Sequence, residues 1–85
     1  MNVTISGKDL KATEAIKEYA EKKMERLEKY FGEDFEVTLT IKTERTEQIA
    51  EMSVKAKSDT YRAVTAHKDL YASIDKDIDI LEGQK

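Results

Sequence analysis

The sequence predicts an α+β fold: one four-stranded mixed sheet with two helices packed on the same face, in the order β-α-β-β-β-α. Three observations predict it. Leu70, Tyr71, Ile74, Ile78 and Leu81 recur at the i, i+3, i+4 spacing of one helical face, and that stripe needs a broad apolar surface to lie on. Ile16, Tyr19, Ala20, Met24, Leu27, Tyr30 and Phe31 form a second such stripe. Between the two, apolar residues alternate with polar ones, as in strands with one face buried and one wet.

Val3 and Ile5 alternate with Thr4 and Ser6, a short strand ended by Gly7. Lys8 to Ala12 is a connection, and Thr13 is placed to cap a helix, with Glu14 favourable in its first turn. That helix should run from about Glu14 to Phe31, stopped by Gly32. Lys22, Arg26 and Lys29 form a narrow stripe beside Tyr19, flanked by Glu14, Glu18, Glu21, Glu25 and Glu28. Lys23 projects toward the apolar side, so its stem should pack and its ammonium snorkel out.

Phe35, Val37, Leu39 and Ile41 alternate with Glu36, Thr38, Thr40 and Lys42. After a polar turn over Glu44 to Glu47, Ala50, Met52, Val54 and Ala56 alternate with Glu51, Ser53, Lys55 and Lys57. Ser58-Asp59 reads as a tight turn. Tyr61, Ala63 and Thr65 then face the core, with Arg62 and Val64 outward, and the last helix spans about Lys68 to Leu81, ended by Gly83. A helix between the first two strands demands a right-handed parallel crossover. The last three strands form an antiparallel meander. Only one sheet face is apolar, so both helices must cover it, leaving Thr38, Thr40, Lys42, Ser53, Lys55 and Arg62 open to solvent.

A chain of 85 residues holds one domain, 1–85. At that length only about 60–65% of the unfolded surface is buried, too little to enclose a deep enzyme-like cavity. The absence of Cys excludes disulfides, thiolate metal sites and cysteine nucleophiles, and His67 alone cannot build a histidine metal cluster. No run approaches the length of a membrane span, and the first residues lack the pattern of a signal peptide, so the expected location is cytoplasmic.

No catalytic constellation emerges. Glu18–Lys22 and Glu25–Lys29 are at i, i+4 ion-pair spacing, which reads as solvated helix surface. His67, just before the last helix, reads as a turn or capping residue. The three glycines are scattered, so there is no phosphate loop. Asp75, Asp77 and Asp79 alternate as in a calcium loop but sit inside a helical pattern. Neither an enzyme nor a cofactor is indicated.

The basic residues remain: Lys22, Arg26 and Lys29 on the helix ridge, and Lys42, Lys55, Lys57 and Arg62 from strands. A net charge of −3 is the wrong sign for indiscriminate nucleic-acid binding. These residues are therefore either a surface balanced by glutamates or a local patch that contacts an RNA backbone. Tyr19 could stack on a base there or simply pack.

Gly7-Lys8-Asp9-Leu10, Thr13-Glu14-Ala15-Ile16-Lys17-Glu18-Tyr19, Arg26-Leu27-Glu28-Lys29-Tyr30-Phe31 and Asp69-Leu70-Tyr71-Ala72-Ser73-Ile74-Asp75 together resemble the ribosome hibernation-promoting factors and the ribosome-associated inhibitor of the same family. The last motif is the most specific. The resemblance covers essentially the whole chain and implies the same β-α-β-β-β-α fold. It further implies binding to the 16S-type rRNA of the small ribosomal subunit, at the decoding centre, blocking mRNA and tRNA. The sequence does not fix the oligomeric state; a monomer is the default expectation. Contacts in the family come largely from basic residues on both helices. That carries over to Lys22, Lys23, Arg26 and Lys29, with Lys76 a weaker member, and Lys55 and Arg62 complete the expected set.

The chain departs from the family at its end. There the last helix typically continues through Lys-Leu-Glu-Arg into more basic residues; here Ile80-Leu81-Glu82-Gly83 is followed by Gln84-Lys85. A shortened chain, a divergent member of weak affinity and a relative with another role all fit that departure. The alternative function is a protein-interaction module in which the second strand, the third strand or an exposed sheet edge recruits a partner strand.

Overall fold

The computed structural model describes residues 1–7 and 12–84. Most of the connection expected at Lys8 to Ala12, and the Lys8-Asp9-Leu10 part of the first motif, lie outside the described residues.

Strand β1 (Asn2–Gly7) leads into helix α1 (Glu14–Met24), a 3-10 turn (Glu25–Leu27) and the short helix α2 (Glu28–Phe31). Strands β2 (Glu36–Glu44), β3 (Glu47–Ala56) and β4 (Asp59–His67) follow, and helix α3 (Leu70–Gln84) closes the chain. The sheet order is β1-β2-β3-β4, with β1 parallel to β2 and the other pairs antiparallel. The expected crossover and meander are both present. Because β2 and β3 are inner strands with both edges paired, only β1 and β4 could accept a further strand.

Register follows from the alternation. Val3 and Ile5 pair with Val37 and Leu39. Val37, Leu39 and Ile41 oppose Val54, Met52 and Ala50, and Met52 opposes Ala63. A slip of one residue would turn this whole set to water, so burial fixes the pairing. The buried sheet face meets Ala20, Met24, Leu27 and Phe31 from the first helical segment and Leu70, Ile74, Ile78 and Leu81 from α3, making a single core. Phe31 packs against Phe35 and Tyr61, with ring centroids 5.9 and 4.9 Å apart.

Local chemistry sets the helix starts. Thr13 Oγ1 accepts from the Ile16 amide at 3.2 Å, as expected of a cap. Asp69 Oδ1 accepts from the Tyr71 amide at 3.1 Å, and His67 Nδ1 accepts from the Asp69 amide at 3.1 Å. His67 is therefore the turn residue the sequence suggested.

Several expectations are corrected. The first helix is interrupted by the 3-10 turn, where the Glu28 amide reaches back to the Glu25 carbonyl. This tightening leaves Tyr30 off the core, 41% exposed. Tyr71 is 38% exposed, and the buried face of α3 takes Ser73 and Asp77 instead. Gly83 lies within α3, which continues to Gln84. The β3–β4 turn is Lys57-Ser58, one residue earlier than expected, with Lys57 at φ 58°.

Candidate nucleic-acid interface

Along α1, the 3-10 turn and α2, residues Tyr19, Lys22, Lys23, Glu25, Arg26 and Lys29 line one shallow groove of about 580 Å³. Helical spacing gathers them: positions 19, 22, 26 and 29 fall within less than a quarter turn of one another. Lys22 and Lys29 point to solvent. The expected pairs Glu18–Lys22 and Glu25–Lys29 do not close to ion-pair distance. Among the described residues neither lysine meets a carboxylate, so both ammonium groups keep their charge for an external anion.

The other flank of the ridge is not free. Arg26 Nε donates to Glu82 Oε2 at 3.2 Å, and its Nη2 donates to Glu82 Oε1 at 2.7 Å and to Asp79 Oδ1 at 3.3 Å. The hydrogen bond to Glu82 holds the Arg26 proton more tightly than usual, with Asp79 assisting. Lys23 Nζ lies 3.7 Å from Asp75 and 5.5 Å from the centre of the Tyr19 ring. This is the snorkelling geometry the sequence implied, now with a partner. The Tyr19 hydroxyl donates to both oxygens of Asp75, at 2.7 and 2.8 Å. That bond, with burial adding, pushes the phenol up to about 12. The Tyr19 ring meets Tyr71 edge-on with centroids 4.8 Å apart. Tyr19 is thus a packing residue tied to α3, and its ring is engaged on one side by Tyr71.

These contacts form a polar seam between α1 and α3. Tyr19, Lys23 and Arg26 on one helix face Asp75, Asp79 and Glu82 on the other. Reading the acidic residues as solvated surface missed the seam. The signal was present in the spacing: 75, 79 and 82 repeat the i, i+4, i+7 pattern of a single α3 ridge.

The strand residues lie elsewhere. Lys55 and Arg62 sit on the open sheet face, the side opposite the helices, so the structure does not bring them to the α1 groove. Arg62 is bound by Glu51 through a short ion pair, and Lys42 lies 3.8 Å from Glu44. Lys55 is exposed, two pairs along from Arg62 across β3 and β4 and so on the same face. Lys76 is exposed on α3, about 100° round that helix from Asp75 and turned away from the seam. Of the expected set, Lys22, Lys23, Arg26 and Lys29 share one surface, and Lys55, Arg62 and Lys76 do not join it. No group of His, Asp and Glu among the described residues is arranged to hold a metal ion.

Comparison with known proteins agrees with the fold. Residues 3–84 match the family described as "Sigma 54 modulation protein / S30EA ribosomal protein". The chain belongs to this family. It is 36% identical over 85 residues to the ribosome hibernation promotion factor of Deinococcus radiodurans, covering 94% of this chain and 44% of that protein. It is 34% identical to the ribosome hibernation promoting factor of Azotobacter vinelandii, covering 99% of this chain and 78% of that one. The crystal structure of the Protein Y N-terminal domain from Thermus thermophilus superposes with a TM-score of 0.92 at 33% identity, over 99% of this chain and 94% of that one. The chain therefore spans less than half of the Deinococcus relative and corresponds in extent to the N-terminal domain of Protein Y.

Proposed function

We propose that this domain is a ribosome hibernation module that binds 16S-type rRNA of the small ribosomal subunit in the decoding region. It acts there by excluding mRNA and tRNA sterically, without catalysis. Family membership and relatives named ribosome hibernation factors support the ribosome as partner. The observation that carries the nucleic-acid interface is the α1 groove, where Lys22 on α1 and Lys29 on α2 stand unpaired among the described residues. Two ammonium groups about two helical turns apart suit successive contacts along a phosphate backbone, which position the protein without reading sequence.

The test is co-sedimentation of purified chain with small subunits at about 0.1 M salt. Lys22→Glu with Lys29→Glu should lower affinity roughly tenfold or more, because two phosphate contacts become repulsive. Both side chains are exposed and make no ion pair among the described residues, so thermal stability should not change. Undiminished co-sedimentation of this variant would count against the surface.

A further inference from the structure

We infer that Glu82 and Asp79 of α3 act as an internal substitute for phosphate, holding Arg26 out of the RNA interface and so limiting the affinity of the α1 surface. The inference rests on the rRNA-binding reading above. The guanidinium fork presents paired donors that match a carboxylate or a phosphate equally well. Here Glu82 takes that fork with two hydrogen bonds, at 2.7 and 3.2 Å, and Asp79 adds a third at 3.3 Å. The Glu82 side chain is only 17% exposed, so packing keeps its carboxylate in place.

A phosphate approaching Arg26 must displace Glu82 and then lie beside Asp79 and Asp75, all of its own sign. Lys22 and Lys29 impose no such cost. The seam therefore divides the ridge: the flank facing α3 is neutralised internally, and the flank facing solvent carries the available charge. An RNA backbone would track the Lys22–Lys29 line and stop at Arg26.

Two variants test this in binding to purified small subunits across a salt series. Asp79→Asn with Glu82→Gln should release Arg26, raising affinity about three- to tenfold and steepening the slope of log affinity against log salt by about 0.7–0.9, the signature of one further phosphate contact. Arg26→Gln with Glu82→Gln leaves the local charge unchanged and replaces the ion pair by two amides that can still hydrogen bond. Affinity should then stay within about twofold of the parent. An unchanged slope in the first variant, or a tenfold loss in the second, would overturn the inference. A parent chain that fails to bind defeats the rRNA reading itself, and binding that survives Lys22→Glu with Lys29→Glu defeats the α1 surface; either result takes this inference with it. The second variant keeps the test decisive if the first unfolds.

Discussion

Asp77 shows how one side chain can set a property of the whole fold. It is fully buried beneath α3. Its Oδ1 accepts from Thr65 Oγ1 at 2.6 Å, while Oδ2 is buried with no partner among the described residues. Burial pushes this carboxyl up to about 7; Glu51 on β3 adds to the shift and the Thr65 bond opposes it. Of its nearest neighbours, Thr65 and Ser73 are uncharged, so Glu51 is the charged group acting on it, and its sign opposes ionisation. A carboxyl raised from an ordinary 3.8 binds its proton more tightly when folded, so folding is favoured at low pH. That advantage is lost as pH climbs from about 4 through about 7. Between pH 5 and 8 the loss is on the order of 2 kcal/mol. The melting temperature of the parent should therefore fall by about 8 °C or more relative to that of Asp77→Asn over this interval. Parallel curves for the two proteins would show that the carboxyl ionises as readily folded as unfolded.

Strands were far more legible than helices. Along Val37-Thr38-Leu39-Thr40-Ile41 each apolar residue is buried, and the polar residues between face the open side. A period of two leaves little room for error when one face is apolar. Helical faces are broader, and polarity misled at their margins: Tyr30 and Tyr71 look like core residues and are exposed, whereas Ser73 and Asp77 look like surface and are buried. The buried serine is accommodated because its hydroxyl donates to the Gln48 carbonyl at 2.9 Å. No glycine or proline marks the 3-10 turn at Glu25–Leu27, so nothing in the sequence announced it. The two hairpin turns carry Arg45 and Lys57 at φ 57° and 58° where glycine or asparagine would have signalled a left-handed residue. In the candidate interface, the ridge of Lys22, Lys23, Arg26 and Lys29 was legible from spacing. The α3 seam was not, because it depends on how the two helices meet. Asp69 illustrates a cap that spacing alone does not rank. Asp69→Ala removes the acceptor of the Tyr71 amide and should cost about 1 kcal/mol in urea unfolding. No loss of stability would mean that His67 and solvent satisfy the end of α3 unaided.

The molecule as a whole is acidic, at −3, so long-range attraction to RNA is weak and binding must come from the few cations that escape internal pairing. Arg26, Lys23 and Arg62 are engaged by carboxylates, and among the described residues Lys22 and Lys29 are not. The fold achieves this by stacking a basic ridge on an acidic one, so that a single helix face is partly spent on docking and partly presented to solvent. Strand addition at β1 or β4 would instead be carried by main-chain hydrogen bonds and would respond little to salt. The deciding measurement is the affinity of the purified chain for small ribosomal subunits between about 50 and 200 mM salt. Binding through Lys22 and Lys29 predicts a linear fall of log affinity with log salt, of slope about −1.5. An affinity that does not change with salt, or no association at any salt, would contradict it.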